Sequence, residues 1–206
     1  MTISKKKIFL IDGMALFYRA HYAMVYNQLT TSSGMHTSAI FGFINSLLKI
    51  LNEEKPDFLA ICSDAKGPTF RHERYDAYKA NRKAMPDELK EQIPVIYNIF
   101  EKTNIPLLML DSYEADDIIG TFSKSLKNQQ NHIYIVSGDK DLMQLVNDST
   151  SVYSLGNKFK PTTVYNQKKV FEKWNIYPEK IVDYLALIGD SSDNIPGVAG
   201  VGPKTA

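Results

Sequence analysis

Four short apolar runs, Ile8 to Ile11, Phe58 to Cys62, Leu107 to Leu110 and Ile133 to Val136, alternate with segments in which apolar residues recur every three or four positions. Unbroken runs of this length suit strands buried on both faces, and the intervening period is helical. Such alternation predicts an α/β fold, a mainly parallel central sheet flanked by helices. Helices are expected over about 14–23, from Thr37 or Ser38 to Leu51, from Pro94, behind Glu114, over 142–146, around Val170 to Trp174 and from Pro178. A β-rich stretch is expected at Ser151 to Leu155.

Acids gather where the runs stop. Asp12 follows the first and Asp64 the second; the third leads into DSYEADDIIG, with Glu114, Asp116 and Asp117, and the fourth into SGDKDLMQL, with Asp139 and Asp141. Asp190 and Asp193 lie in the late stretch GDSSDNIPGVAGVGPKTA. Any one of these reads as an ordinary turn residue or helix cap. Their recurrence at the strand ends matters more, because an open α/β sheet builds its site there. Two carboxylates within ~4 Å repel by about 4 kcal/mol at an effective dielectric near 20, so a gathered set needs cations. All-oxygen donors without EF-hand spacing suit Mg²⁺ or Mn²⁺, and two such ions suit phosphodiester hydrolysis.

Between Asp64 and Pro94 the chain changes character. Residues 71–83 carry five Lys or Arg against two acids, and Phe70, Tyr75 and Tyr78 are interleaved with the cations. Cations for phosphates and rings for unpaired bases make a nucleic-acid surface; a solvated basic helix with its rings turned inward has the same composition. With so few aliphatic residues, the segment is expected to form a mobile arch. The net charge of +1 decides nothing about partners, because a basic patch and an acidic pocket cancel in the sum. The single Cys62 excludes an internal disulfide framework and fits a reducing cytoplasm. The first apolar run is too short for a signal peptide or a membrane span.

The stretches LIDGMALFYRAHYA, SDAKGPTFRHERYDAYKANRKAMPDEL, YEADDIIGTF, SGDKDLMQLV and LIGDSSDNIPGVAGVGPKTA resemble, in order, the motifs of the 5′-nuclease domain of bacterial DNA polymerase I, within the flap endonuclease family. The resemblance implies a PIN-like nuclease core over 1–160 with a helical arch at about 66–92, then a helical region over 161–206. It implies a Mg²⁺-dependent, structure-selective 5′-3′ exonuclease and flap endonuclease acting in replication and repair. Its partners would be DNA with a 5′ flap or 5′ end and RNA-DNA primer junctions. Asp12, Asp64, Glu114 and Asp116 would serve one ion, and Asp117, Asp139, Asp141, Asp190 and Asp193 would lie around the second. Lys79 and Arg82 would meet the scissile phosphate, Arg71 would support the strand, and Tyr75 would stack on the substrate end. Gly197, Gly200, Gly202 and Lys204 would open a helix-hairpin-helix that holds a duplex phosphate, with K⁺ as a possible companion ion. It further implies a monomeric, cytoplasmic N-terminal fragment, with the second hairpin helix and a polymerase domain belonging to a longer chain.

Two rival readings use the same residues. A phosphatase of the haloacid dehalogenase type shares the FLIDG start and a late GD-x-x-D pattern, but needs an acid at the position of Met14. A DNA-binding fragment with weak catalysis would keep every acid and lose their geometry. A P-loop is excluded, because Pro203 separates Gly202 from Lys204-Thr205.

Overall fold

The computed structural model describes residues 5–157 and 159–206. Six strands, β1 Lys6–Asp12, β2 Phe58–Cys62, β3 Leu107–Leu108, β4 Asn131–Val136, β5 Thr150–Ser154 and β6 Thr163–Tyr165, form one sheet. Its order is β3-β2-β1-β4-β5-β6, and β6 alone is antiparallel to its neighbour. The chain builds outward from β1 to β2 and β3, then returns to β4 on the other side. The order therefore reverses at β1 and β4, the point at which such sheets open a crevice beyond their C-terminal ends.

Alternation along β1 divides the core. Phe9 and Ile11 face one layer, with Phe17 of α1 (Gly13–Ala23), Phe43 of α2 (Ser38–Glu54) and Phe100 of α5 (Ile93–Thr103). Ile8 and Leu10 face the other, with Ile118 and Ile119 of α6 (Ala115–Ser125), Val170 of α7 (Gln167–Trp174) and Ile181 of α8 (Ile181–Ile188). Cys62 lies in this second layer, where burial pushes its thiol up to about 12. Two glycines set the close approaches. A Cβ on Gly13 would sit 3.0 Å from Ile61 and 3.1 Å from the Cys62 carbonyl, so the first residue of α1 lies against the end of β2. A Cβ on Gly42 would come within 2.9 Å of the Ala20 Cβ, where α1 and α2 cross.

Several expectations change. The third strand stops at Leu108, and Met109 and Leu110 leave the sheet as exposed residues. Neither Thr37 nor Ser38 caps α2: Gln92, completely buried, accepts from the Ala39 and Ile40 amides at 2.9 and 3.1 Å. The sheet also continues past residue 160, because β6 pairs with β5. The expected arch is helical only in α3 (Phe70–Arg74) and α4 (Asp87–Lys90). Between them, residues 75–82 form short turns, closed by the Tyr78, Ala80 and Arg82 amides and tied to the loop 190–194 by other polar groups. No helix among the described residues is long and apolar enough to cross a membrane.

Candidate active site

Asp12 ends β1 and caps α1. Its Oδ1 accepts from the Ala15 amide at 3.0 Å and its Oδ2 from the Ser137 hydroxyl at 2.8 Å, so the side chain is fixed and almost wholly buried. Burial pushes its carboxyl up to about 6 against these two bonds, and the charges of Asp64 and Asp139 add to the rise. Asp64, just beyond β2, accepts from the Ala115 amide at 2.7 Å and thereby ties the start of α6 to the end of the sheet. Asp116, in the first turn of α6, is the most displaced: burial first, then Asp12, Asp139, Asp64 and Glu114, push it up to about 8. Asp139, beyond β4, donates its amide to Ser137 and accepts from the Asp141 amide. Carboxylates from the ends of β1, β2 and β4 and from the start of α6 therefore share one field at the crevice.

A second group adjoins the first through Asp139. Asp141 is raised to about 6 by burial and by Asp139, Asp190 and Asp193, and its Oδ1 is buried without a hydrogen-bond partner. Asp190 is partly buried, yet the Ser192 amide and Lys140, 3.2 Å away, hold it below the usual carboxylate range. A cleft of about 470 Å³ runs between the groups, with Glu114, Asp116, Asp141 and Asp193 in its walls.

Asp117 lines this cleft but does not join the second group. Arg71 grips both of its oxygens, at 2.7 and 2.8 Å, and Asp117 Oδ2 also accepts from the Glu114 amide. The Arg71 hydrogen bonds hold it below the usual carboxylate range. Lys79 and Arg82 likewise meet carboxylates, Lys79 on Glu114 at 2.7 Å and Arg82 on Asp193. Tyr75 is partly exposed and donates to the Asn194 carbonyl. Gly197 is explained by packing, since a Cβ there would lie 2.4 Å from the Ile188 carbonyl carbon. Gly200, at φ 78°, and Gly202 have open space around them, and Lys204 is exposed beside them.

Tyr78, grouped by the sequence with rings for unpaired bases, is instead buried. Its hydroxyl lies 3.0 Å from both Glu114 Oε2 and Asp193 Oδ2, one proton shared between two carboxylates. Ser137, Lys140, Asn81 and Asn194 went unassigned. Of these, Ser137, Lys140 and Asn194 lie within two residues of a candidate acid, whereas Asn81 has no such neighbour. Asn81 donates to the Ser191 carbonyl at 2.6 Å, Asn194 to the Ala77 carbonyl at 2.8 Å, and the Lys79 amide to the Asp193 carbonyl at 2.9 Å. Together these bonds latch residues 75–82 onto the loop, with Lys79 at φ 56° and Asn194 at φ 58° in the left-handed region.

The donor set fits divalent cations: oxygens alone, with Asp12, Asp116 and Asp141 raised first by burial and then by neighbouring acids, and one buried oxygen unpartnered. As they stand, no three His, Cys, Asp or Glu side chains among the described residues converge closely enough to enclose an ion. Amides and hydroxyls engage Asp12 and Asp64, and Tyr78 with the cations of the latch engages Glu114 and Asp193.

Relatives match this chain along almost its whole length. DNA polymerase I of Caldicellulosiruptor bescii is 43% identical over 202 residues, covering 97% of this chain and 24% of that protein. The Bacillus subtilis polymerase I is 44% identical, with 98% and 23% covered. This chain thus spans about a quarter of the length of those relatives. A 5′-3′ exonuclease of Aquifex aeolicus is 41% identical, with 98% of this chain and 68% of that protein covered. In fold, the chain resembles the bacteriophage T5 D15 protein co-crystallised with metal ions, at a TM-score of 0.75 and 23% identity over 97% of this chain and 72% of that one. Residues 7–175 match the 5′-3′ exonuclease N-terminal resolvase-like domain and residues 176–206 the 5′-3′ exonuclease C-terminal SAM fold, so the chain belongs to the 5′-3′ exonuclease family.

Proposed function

We propose that this chain is a structure-selective 5′ nuclease that hydrolyses phosphodiesters of DNA, and of RNA primers joined to DNA, at 5′ flaps and 5′ ends. The observation that carries the reading is the placement of Asp12, Asp64, Asp116 and Asp139 around the sheet's switch point, near enough for burial and mutual charge to push Asp12 and Asp116 up to about 6 and about 8. Carboxylates that resist ionisation in this way are poised to exchange protons for cations.

Asp12, Asp64, Glu114, Asp116 and Asp139 would hold one Mg²⁺ or Mn²⁺, and Asp139, Asp141, Asp190 and Asp193 would hold a second. Cations so held supply Lewis acidity toward water and a phosphodiester oxygen. The chain's own groups do the rest. Ser137 and the Ala15 amide fix Asp12, and the Ala115 amide fixes Asp64. Tyr78 holds Glu114 and Asp193 in register. Lys79 and Arg82, once exchanged from their carboxylates to the strand, offset the negative charge that grows on the phosphate. The longer polymerase I relatives suggest that such a nuclease works beside a polymerase.

The deciding experiment is cleavage of a 5′-labelled flap duplex with Mg²⁺ or Mn²⁺, beside Asp116→Asn. The reading requires cleavage that stops in EDTA and in the variant. Cation-independent cleavage, or an equally active variant, would refute it. Retention of flap DNA without turnover favours the binding-fragment reading instead.

A further inference from the structure

A second cavity opens behind the acid cleft. A groove of about 600 Å³ runs between the end of β3 and the outer face of α6, within the range of about 300–1,000 Å³ usual for ligand sites. Its lining is mainly apolar, with Asp117 and Thr121 as the polar members. The sequence reads Met109 and Leu110 as strand residues, but they leave the sheet and stand 45% and 54% exposed; Tyr113 and Phe122 complete the rim at 44% and 36%. Four large apolar side chains left open to water on one rim are unusual unless something covers them.

Three observations indicate what covers them. Asp117 and Thr121 line both this groove and the acid cleft, so the two are continuous over the first turns of α6. Phe70 lies 5.5 Å from Tyr113, which extends the row of rings toward the basic segment. Over Phe70 lie the guanidiniums of Arg71 and Arg74, at 4.6 and 5.6 Å. Rings that present faces or edges, with cations beside them and no built-in hydrogen-bond code, suit unpaired nucleobases of any sequence whose phosphates lie along the arginines. We infer that the Tyr113 groove is a subsite for unpaired bases of a nucleic-acid strand entering or leaving the acid cleft. The inference rests on the nuclease reading for the identity of that strand.

The test is binding of a single-stranded oligodeoxynucleotide in EDTA, where cleavage cannot intervene, with 4-thiothymidine along the strand for photocrosslinking. The wild-type chain should crosslink at Tyr113 or Phe122. Tyr113→Ala should weaken binding about tenfold, the scale of one lost stacking partner, and Tyr113→Phe should restore it. With Mg²⁺, Tyr113→Ala should raise KM for a flapped duplex and leave kcat unchanged. Equal binding by wild type and Tyr113→Ala, or crosslinks only away from the groove, would overturn the subsite and leave the groove to a polypeptide. Crosslinking in the groove by a chain that never cleaves would uphold the subsite and refute the nuclease.

Discussion

Replacing Asp116 by Asn should make the metal-free protein more stable, by an amount that grows with pH. The carboxyl is pushed up from 3.8 to about 8 by burial and by four neighbouring acids. The folded state therefore holds a proton that the unfolded chain has already released. This penalty is negligible below the unfolded pKa, grows as pH rises, and is complete above the folded pKa. At ~1.36 kcal/mol per pH unit, the two states differ by roughly 2 kcal/mol at pH 5 and roughly 6 kcal/mol at pH 9. Asn carries no such penalty. Water entering the cleft and proton uptake by Asp12 lower the ceiling of ~4 kcal/mol between the two pH values, and about 2 kcal/mol is expected. Urea denaturation of both proteins in EDTA at pH 5, 7 and 9 measures it directly. Saturating Mn²⁺ should then close the gap, because cations stabilise the ionised parent more than the variant. A gap that stays constant from pH 5 to pH 9, or a variant less stable at pH 9, would refute the account of Asp116 as a buried acid repelled by its neighbours.

Tyr78→Phe removes the hydroxyl shared by Glu114 and Asp193, and should cost about 1–2 kcal/mol in denaturation at pH 7. Gln92→Ala strips two amides of α2 of their buried acceptor and should cost about 2–3 kcal/mol, whereas Thr37→Ala should stay within about 0.5 kcal/mol by the same measurement. Gly42→Ala should lower stability by about 1–3 kcal/mol by wedging α1 from α2, and Ala20→Gly in the same chain should recover part of that loss in thermal melts.

What was legible in the sequence was local. The runs at Ile8 to Ile11 and Ile133 to Val136 are strands because unbroken apolar residues leave no solvent face, and their terminal acids fall at the switch point because parallel order puts every strand end on one side. Asp12 shows why a cap and a site residue need not be alternatives, since one carboxylate does both. The rest depends on partners far apart in the chain. Gln92 serves α2 across 52 and 53 residues, Tyr78 reaches Asp193 across 115, and Asn194 reaches Ala77 across 117. No spacing rule connects such pairs. Asp117 beside Asp116 illustrates the same limit, because adjacent helix residues point in different directions and only one of these meets Arg71.

The latch between residues 75–82 and the loop 190–194 also bears on affinity. In the nuclease proposed above, Lys79 and Arg82 would meet a phosphate only in the fraction of molecules that have let go of Glu114 and Asp193, and apparent affinity would fall by that fraction. Because linkage is reciprocal, whatever draws those carboxylates to cations also frees the two side chains, so strand and cation should each bind more tightly in the presence of the other. The ion pairs thus act as a reversible self-inhibitor whose strength falls as ionic strength rises, opposite in sign to the salt's screening of the strand's own phosphate contacts.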